Sequence, residues 1–445
     1  MSAHPDSRKT ASAYILRVPK ERRWLLHGVH KSTPFGEQKV AEPVPVFDHS
    51  KNVPLVVLAS FEDGVITHVA DGRKGASAGT GLVRLNLESL QRLQQPLSFE
   101  TLLSYVPIRV RHHLARALNS GGKLPPKTLG AVVDALLELD PALAERLARF
   151  SDRRAQAIAD LSASQRENLA IQKETVGVAL EIAGVDRGEL LQWMPSEAPG
   201  SFLDGLPEAY VREDVMLLSD FSTMPGFRAL EGATHVAVKT FVDPYNSRNR
   251  LRVVMANRLG LEEQTGADLI YYNETYRSFV MVQYKAMEKG RDGPEFRWKA
   301  GDQLGDEISR MDRMLAELEK VEADVDPDGF RFSGNPFFLK FCSRVVFNPD
   351  DKGLFSGMYL PLGLWKDLVS GDRLKGARGG NVLTYGNVGR YLTNSEFVVL
   401  VSKAWVGTTI RQSQSLEPLI RSVLATGKTL TYAVESPPHR GAGLR

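Results

Sequence analysis

Cysteine is nearly missing from this 445-residue chain. Cys342 stands alone, which excludes an intrachain disulfide and any zinc knuckle or finger built on paired thiolates. It lies in the apolar run FFLKFCSRVVF and reads as a small buried residue of a protein kept in a reducing cytoplasm. Long apolar runs are missing too: none approaches the roughly 18 to 20 consecutive residues that a membrane span requires. The opening stretch MSAHPDSRKTASAYILRV carries no continuous apolar segment of the secretory kind. Neither sign of charge dominates. Lys and Arg total 56 against 53 Asp and Glu, and a net charge of +3 does not by itself announce a nucleic-acid partner. The nine histidines are scattered, and the one adjacent pair, His112-His113, diverges on a helix and cannot share a metal. The glycine-rich stretch 72–81, GRKGASAGTG, lacks the Lys-Ser/Thr that completes a phosphate-binding loop, and it reads as a surface loop.

What is present is a chain too long for one core, with an ordinary 42% of hydrophobic residues. Residues 1–122 read as a small α+β module: the runs VPLVVLASF and GVITHVADG suit short strands, and a helical pattern is expected over Leu87–Leu93. From Pro125 to about Ala183 apolar residues recur at three- and four-residue intervals. Ser162 or Ser164 is the expected cap of the second long helix and Gly184 its end. HVAVKTFVD (235–243) is a strand pattern, and 249–266 is ambiguous between strand-turn and helix. ADLIYY (267–272) and SFVMVQYKAM (278–287) are two β-type runs joined by the polar turn NETYR, hence a hairpin. A helix follows at about 301–321 with Leu304, Ile308, Met311, Leu315 and Leu318 on one stripe, and FFLKFCSRVVF (337–347) reads as a buried strand.

The chemistry sits on the hairpin. Side chains alternate along a strand, so Gln283 and Lys285 project from one side, as do Asp268, Ile270 and Tyr272 in the strand before. A carboxylate and an amide carbonyl are hard oxygen donors suited to Mg²⁺. A lysine can position an attacking water or offset charge building on phosphorus. The segment GADLIYYNETYRSFVMVQYK resembles the D…(E/Q)xK signature of the PD-(D/E)XK nuclease superfamily, in the variant where Gln replaces Glu. The resemblance covers roughly 165–347. It implies an α/β fold with α+β flanks: a restriction-endonuclease-like core of mixed central sheet and flanking helices. That core falls in 123–347, between the 1–122 module and a C-terminal α/β extension, 348–445, packed on it.

By that resemblance Asp268 and Gln283 ligate Mg²⁺ (or Mn²⁺) and Lys285 is catalytic. Glu in place of Gln would carry one more negative charge, so a further acid is needed: Glu174, at the position of the core-helix glutamate, or Glu262, six residues before Asp268, where Glu263 competes with it. Gln303 resembles a residue that relatives hold near the scissile phosphate. From Asp372 to Lys428 eight basic residues face three acids, and Lys375, Arg378 and Arg390 are candidate contacts to a phosphate backbone. Tyr385, Tyr391 and Trp405 are candidates for base stacking, the last two more readily core. The implied activity is that of an Mg²⁺-dependent endonuclease acting on DNA, RNA not excluded, of a prokaryotic restriction or antiphage type, with a homodimer or defence partner open. The alternative is a nuclease-fold protein that binds nucleic acid or assembles with partners and does not cut.

Overall fold

The computed structural model describes residues 11–23, 40–79, 81–195, 201–207, 210–212, 236–243, 246–256, 267–291, 293–299, 301–322, 324, 326–343, 346–376, 379–416 and 430–436. It is a mixed α/β protein of two compact units, Met1–Leu161 with Asn348–Gly353, and Ser162–Phe347 with Leu354–Arg445. Among the described residues no helix is long and apolar enough to cross a membrane.

In the first unit β1 (Ser12–Arg17), β2 (Val40–Pro45), β3 (Leu55–Ser60), β4 (Val65–Gly79), β5 (Leu82–Ser98) and β6 (Gly122–Lys123) form one sheet in the order β2-β5-β4-β3-β1-β6. Only β1 and β3 run parallel. Strand β3 is buried along its whole length because both faces of the sheet are covered. Val56 and Leu58 pack with α1 (Phe99–Tyr105), α2 (Ile108–Ser120) and α3 (Pro126–Leu139), while Leu55 and Val57 pack with Tyr14, Leu16 and Leu85. Helix α4 (Asp152–Asp160) is tied down by the buried Arg154, whose guanidinium meets Asp350 at 2.8 Å.

Two expectations fail in this unit. Leu87–Leu93 is not helical but lies inside β5, where a long bulged ladder with β4 overrides the local periodicity and buries Leu87 and Leu93. The stretch through Gly72 is not a surface loop but the far half of β4, and its glycine is a packing requirement. A Cβ at Gly72 would meet Val57 Cγ2 at 2.3 Å. The division also falls elsewhere than at 122/123. Residues Gly122 and Lys123 pair with Ile15 and Tyr14 in the sheet, and Leu129, Val132 and Leu136 of α3 belong to the core of the first unit.

The second unit opens with α5 (Ala163–Ala183). Ser162 caps it in a reciprocal capping box with Gln165, and Gly184 closes it in the left-handed conformation. The strands β7 (Tyr210–Arg212), β8 (Val236–Asp243), β9 (Asn246–Ala256), β10 (Leu269–Asn273), β11 (Ser278–Lys289), β12 (Pro294–Trp298), β13 (Phe337–Ser343), β14 (Gly357–Pro361), β15 (Asn381–Thr384) and β16 (Leu430–Ser436) make a ten-stranded sheet. Its main path runs β14-β13-β11-β10-β16-β9-β8-β7, with β12 and β15 branching from β11. The pairs β10·β16 and β11·β13 are parallel, the neighbours along the rest of the path antiparallel. The ambiguous 249–266 therefore contributes strand up to Ala256, and 354–445 supplies strands to the same sheet.

One face of this sheet carries Ile270, Tyr272, Phe279, Met281, Leu339 and Phe341 under α6 (Gln303–Leu318) and α7 (Leu362–Ser370). The opposite face carries Phe338, Lys340 and Tyr359, with Phe397 of α8 (Asn394–Ser402) packed on the aromatic rings. These two faces position everything that follows.

Candidate active site

The hairpin of β10 and β11 forms as its apolar alternation requires, Leu269 opposite Val282 and Tyr272 opposite Phe279. Asp268 stands at the bend just before β10. Its NH donates to Val282 O at 2.9 Å, and its Oδ2 accepts from the NH of Tyr284 at 2.8 Å. That NH belongs to the residue between Gln283 and Lys285, so an Asp268 oxygen rests against the backbone of the motif itself.

Along β11 the odd-numbered residues face α6: Met281 and Met287 are in its core, and Lys285 shares their side. The Lys285 ammonium meets Glu307 Oε2 at 2.5 Å, with only 14% and 3% of the two side chains exposed. Glu307 lies on α6 among Leu304, Met311, Met314 and Leu318, all buried. It is the residue that the sequence reading missed. Its signal was there, since the buried stripe runs 304, 307, 311, 314, 318 and an acid occupies its second place. Ile308 and Leu315, expected on the stripe, are partly buried at its margin. Gln283 is buried, its amide nitrogen 3.4 Å from Tyr284 O. A polar side chain held this deep needs partners that replace its lost hydration.

Glu174 is elsewhere. It faces the opposite side of the sheet from α5 and meets Lys340 Nζ at 2.5 Å, the side chains 2% and 0% exposed. Its second oxygen accepts from the NH of Phe355 at 2.9 Å. The ammonium also lies 4.9 Å from the Tyr359 ring centroid and 5.4 Å from that of Tyr284. Burial works to lower the Lys340 pKa, but the Glu174 charge outweighs it and the ammonium is held above the ordinary lysine range. Burial raises both phenols, that of Tyr359 to about 12, and the Cys342 thiol likewise to about 12. None of these groups is poised to exchange a proton near neutrality. The structure does not bring Glu174 to the face that bears Lys285.

The remaining candidates divide. Glu262, its neighbour Glu263 and Arg378 lie outside the described residues. Gln303 is the exposed first residue of α6, next to the cap Asp302. Lys375 donates to Asn381 Oδ1 at 2.7 Å, and Arg390 is exposed. Tyr385 and Tyr391 pack half-buried against the core under α6 and α7. Trp405, expected inside, is 41% exposed and stacks on Phe332 at 4.9 Å.

Asp268, Gln283 and Glu307 offer two carboxylates and one amide carbonyl, all hard oxygen donors. Among the described residues no group of three His, Cys, Asp or Glu side chains is arranged to hold a metal ion. Donors of these types suit a cation that keeps several of its waters and takes further ligands from a phosphate, which is how Mg²⁺ binds. Comparison of the chain with family models, curated proteins and solved structures finds no match.

Proposed function

We propose that the second unit has a PD-(D/E)XK-type core and hydrolyses phosphodiester bonds in DNA, with its active centre on the β10–β11 hairpin. The observation that carries this reading is the Asp268 carboxylate seated on the peptide NH between Gln283 and Lys285. Further support comes from the chain order around it: helix α5, strand β8, the hairpin, helix α6 and the parallel return strand β13. Asp268 and Gln283 would hold Mg²⁺ or Mn²⁺, which when bound polarises a phosphoryl oxygen and acidifies a coordinated water. Gln283 would offer its carbonyl without adding charge. Lys285, on a flexible stem, would bring its ammonium to the water or to the oxygens that gain charge at phosphorus. Lys375, Arg378 and Arg390 would track the backbone of the nucleic acid. An endonuclease of a prokaryotic restriction or antiphage kind, in the cytoplasm and paired with a second copy or a defence partner, rests on analogy with other Gln-x-Lys members.

A second reading draws on a specific observation. Lys285 is closed into an ion pair with Glu307, and Glu174 is committed to Lys340. That arrangement suits a nuclease-fold protein that binds nucleic acid and does not cut. The two readings separate when plasmid, linear DNA and RNA are incubated with the full chain and Mg²⁺ or Mn²⁺. Cleavage that disappears in Asp268→Ala and Lys285→Ala supports the first. Binding without cleavage in either metal supports the second.

A further inference from the structure

We propose that Glu307 is the second carboxylate of this centre, and that a divalent cation and the Lys285 ammonium compete for it. The inference rests on the site proposed above and names how it is regulated. The two buried glutamates of the unit differ in how they are satisfied. Glu174 has both oxygens engaged, one by Lys340 and one by the Phe355 NH. Glu307 is equally deep, yet among the described residues its Oε2 meets only the Lys285 ammonium, in an ion contact without a hydrogen bond. A carboxylate removed from water ordinarily collects several donors. One left with a single monovalent partner, on the face to which Gln283 and Lys285 point, is a cation ligand with a stand-in.

Charge supplies the reason for exchange. Asp268, Lys285 and Glu307 sum to −1 with the lysine in place. A divalent ion among them changes the sum to +1, the sign that attracts a phosphodiester. Its attraction to two carboxylates, one of them buried, exceeds that of one ammonium to one. The cation therefore takes Glu307, and Lys285 leaves its partner and becomes available to the incoming phosphate. The missing negative charge at Gln283 is supplied from α6, so the centre loads metal first and nucleic acid second.

The test is calorimetric titration of Mn²⁺ into the full-length protein, with circular dichroism to establish folding. Glu307→Gln is expected to weaken Mn²⁺ binding at least about tenfold, and Lys285→Met to tighten it by a similar factor, because the competing cation is gone. If Lys285→Met folds poorly without metal, the same inference predicts that Mn²⁺ raises its melting temperature more than that of wild type. A Glu307→Gln protein that binds Mn²⁺ like wild type overturns the inference. So does a Lys285→Met protein that binds it less tightly, or a wild-type chain that takes up none. The two proposals fail separately. Affinities that shift as expected without cleavage of any nucleic acid leave this inference standing and remove the nuclease. Metal-dependent cleavage with an unaltered Glu307→Gln titration does the reverse.

Discussion

At the scale of single residues, two buried ion pairs occupy opposite faces of one sheet and do different work. Lys340 and Glu174 are closed off from water and saturated with partners. Breaking such a pair from one side leaves an uncompensated buried charge, which costs about 3 to 5 kcal/mol. Glu174→Gln should therefore lower the urea midpoint of the second unit, read by tryptophan fluorescence, while leaving Mn²⁺ affinity unchanged. A Glu174→Leu/Lys340→Met double variant should recover most of the loss. If Glu174→Gln were stable but bound metal poorly, the helix glutamate would be a ligand after all. Asp268, Gln283 and Lys285 were visible in the sequence as polar residues in apolar runs, whereas Lys340, inside FFLKFCS, was not singled out. Their partners were not visible either. Which carboxylate meets which ammonium depends on the helix that crosses each face, and strand periodicity does not carry that information. Glu174 was therefore assigned to the wrong neighbours and Glu307 was passed over.

At the scale of elements, helices declared themselves through their ends. Ser162, one of two cap candidates, and Gly184 bound α5; these are local interactions between near neighbours, which sequence narrows, whereas the partner Gln165 and the α6 cap Asp302 were not singled out. Strand β5 was misread because its leucines have helical spacing, and only pairing with β4, a non-local event, decides the matter. The hairpin that carries the site depends on another non-local contact. Gly407 has φ of 117°, and a Cβ there would meet Ser278 Oγ at 2.6 Å and Phe279 O at 2.7 Å. The next residue, Thr408, exchanges hydrogen bonds with Phe279, its NH donating to the carbonyl and its hydroxyl accepting from the NH. Gly407→Ala should cost roughly 1 to 3 kcal/mol through backbone strain alone and more through the clash. Increased amide hydrogen exchange over 278–285 would register it; unchanged protection there would show that the loop gives way freely.

At the scale of the whole molecule, the first unit carries a buried group that makes it sensitive to acid. His49, in the first, is buried with Nε2 3.1 Å from Val53 O, and its Nδ1 has no hydrogen-bond partner among the described residues. Burial first, and then the charges of Lys123 and Lys74, push its pKa down to about 4. A folded pKa below the unfolded value of about 6.5 means the unfolded chain binds the extra proton. The contribution is complete above pH 6.5 and is lost progressively as pH falls toward 4. The first unit should melt at a lower temperature at pH 5 than at pH 7, and His49→Gln should flatten that dependence in circular dichroism melts. An unaltered slope in the variant would place the acid sensitivity elsewhere. Mixed α/β architecture was legible in the alternation of strand and helix patterns, whereas the division into units was not. The boundary at Leu161 and the return of Asn348–Gly353 to the first unit depend on packing between distant segments.

The central claim is that the β10–β11 hairpin is a catalytic centre, and single-turnover cleavage of linear DNA in Mg²⁺ tests it most directly. Wild-type protein should cut, and Asp268→Ala and Lys285→Ala should each reduce the rate by about a hundredfold or more. Cleavage that persists undiminished in both variants would contradict the account.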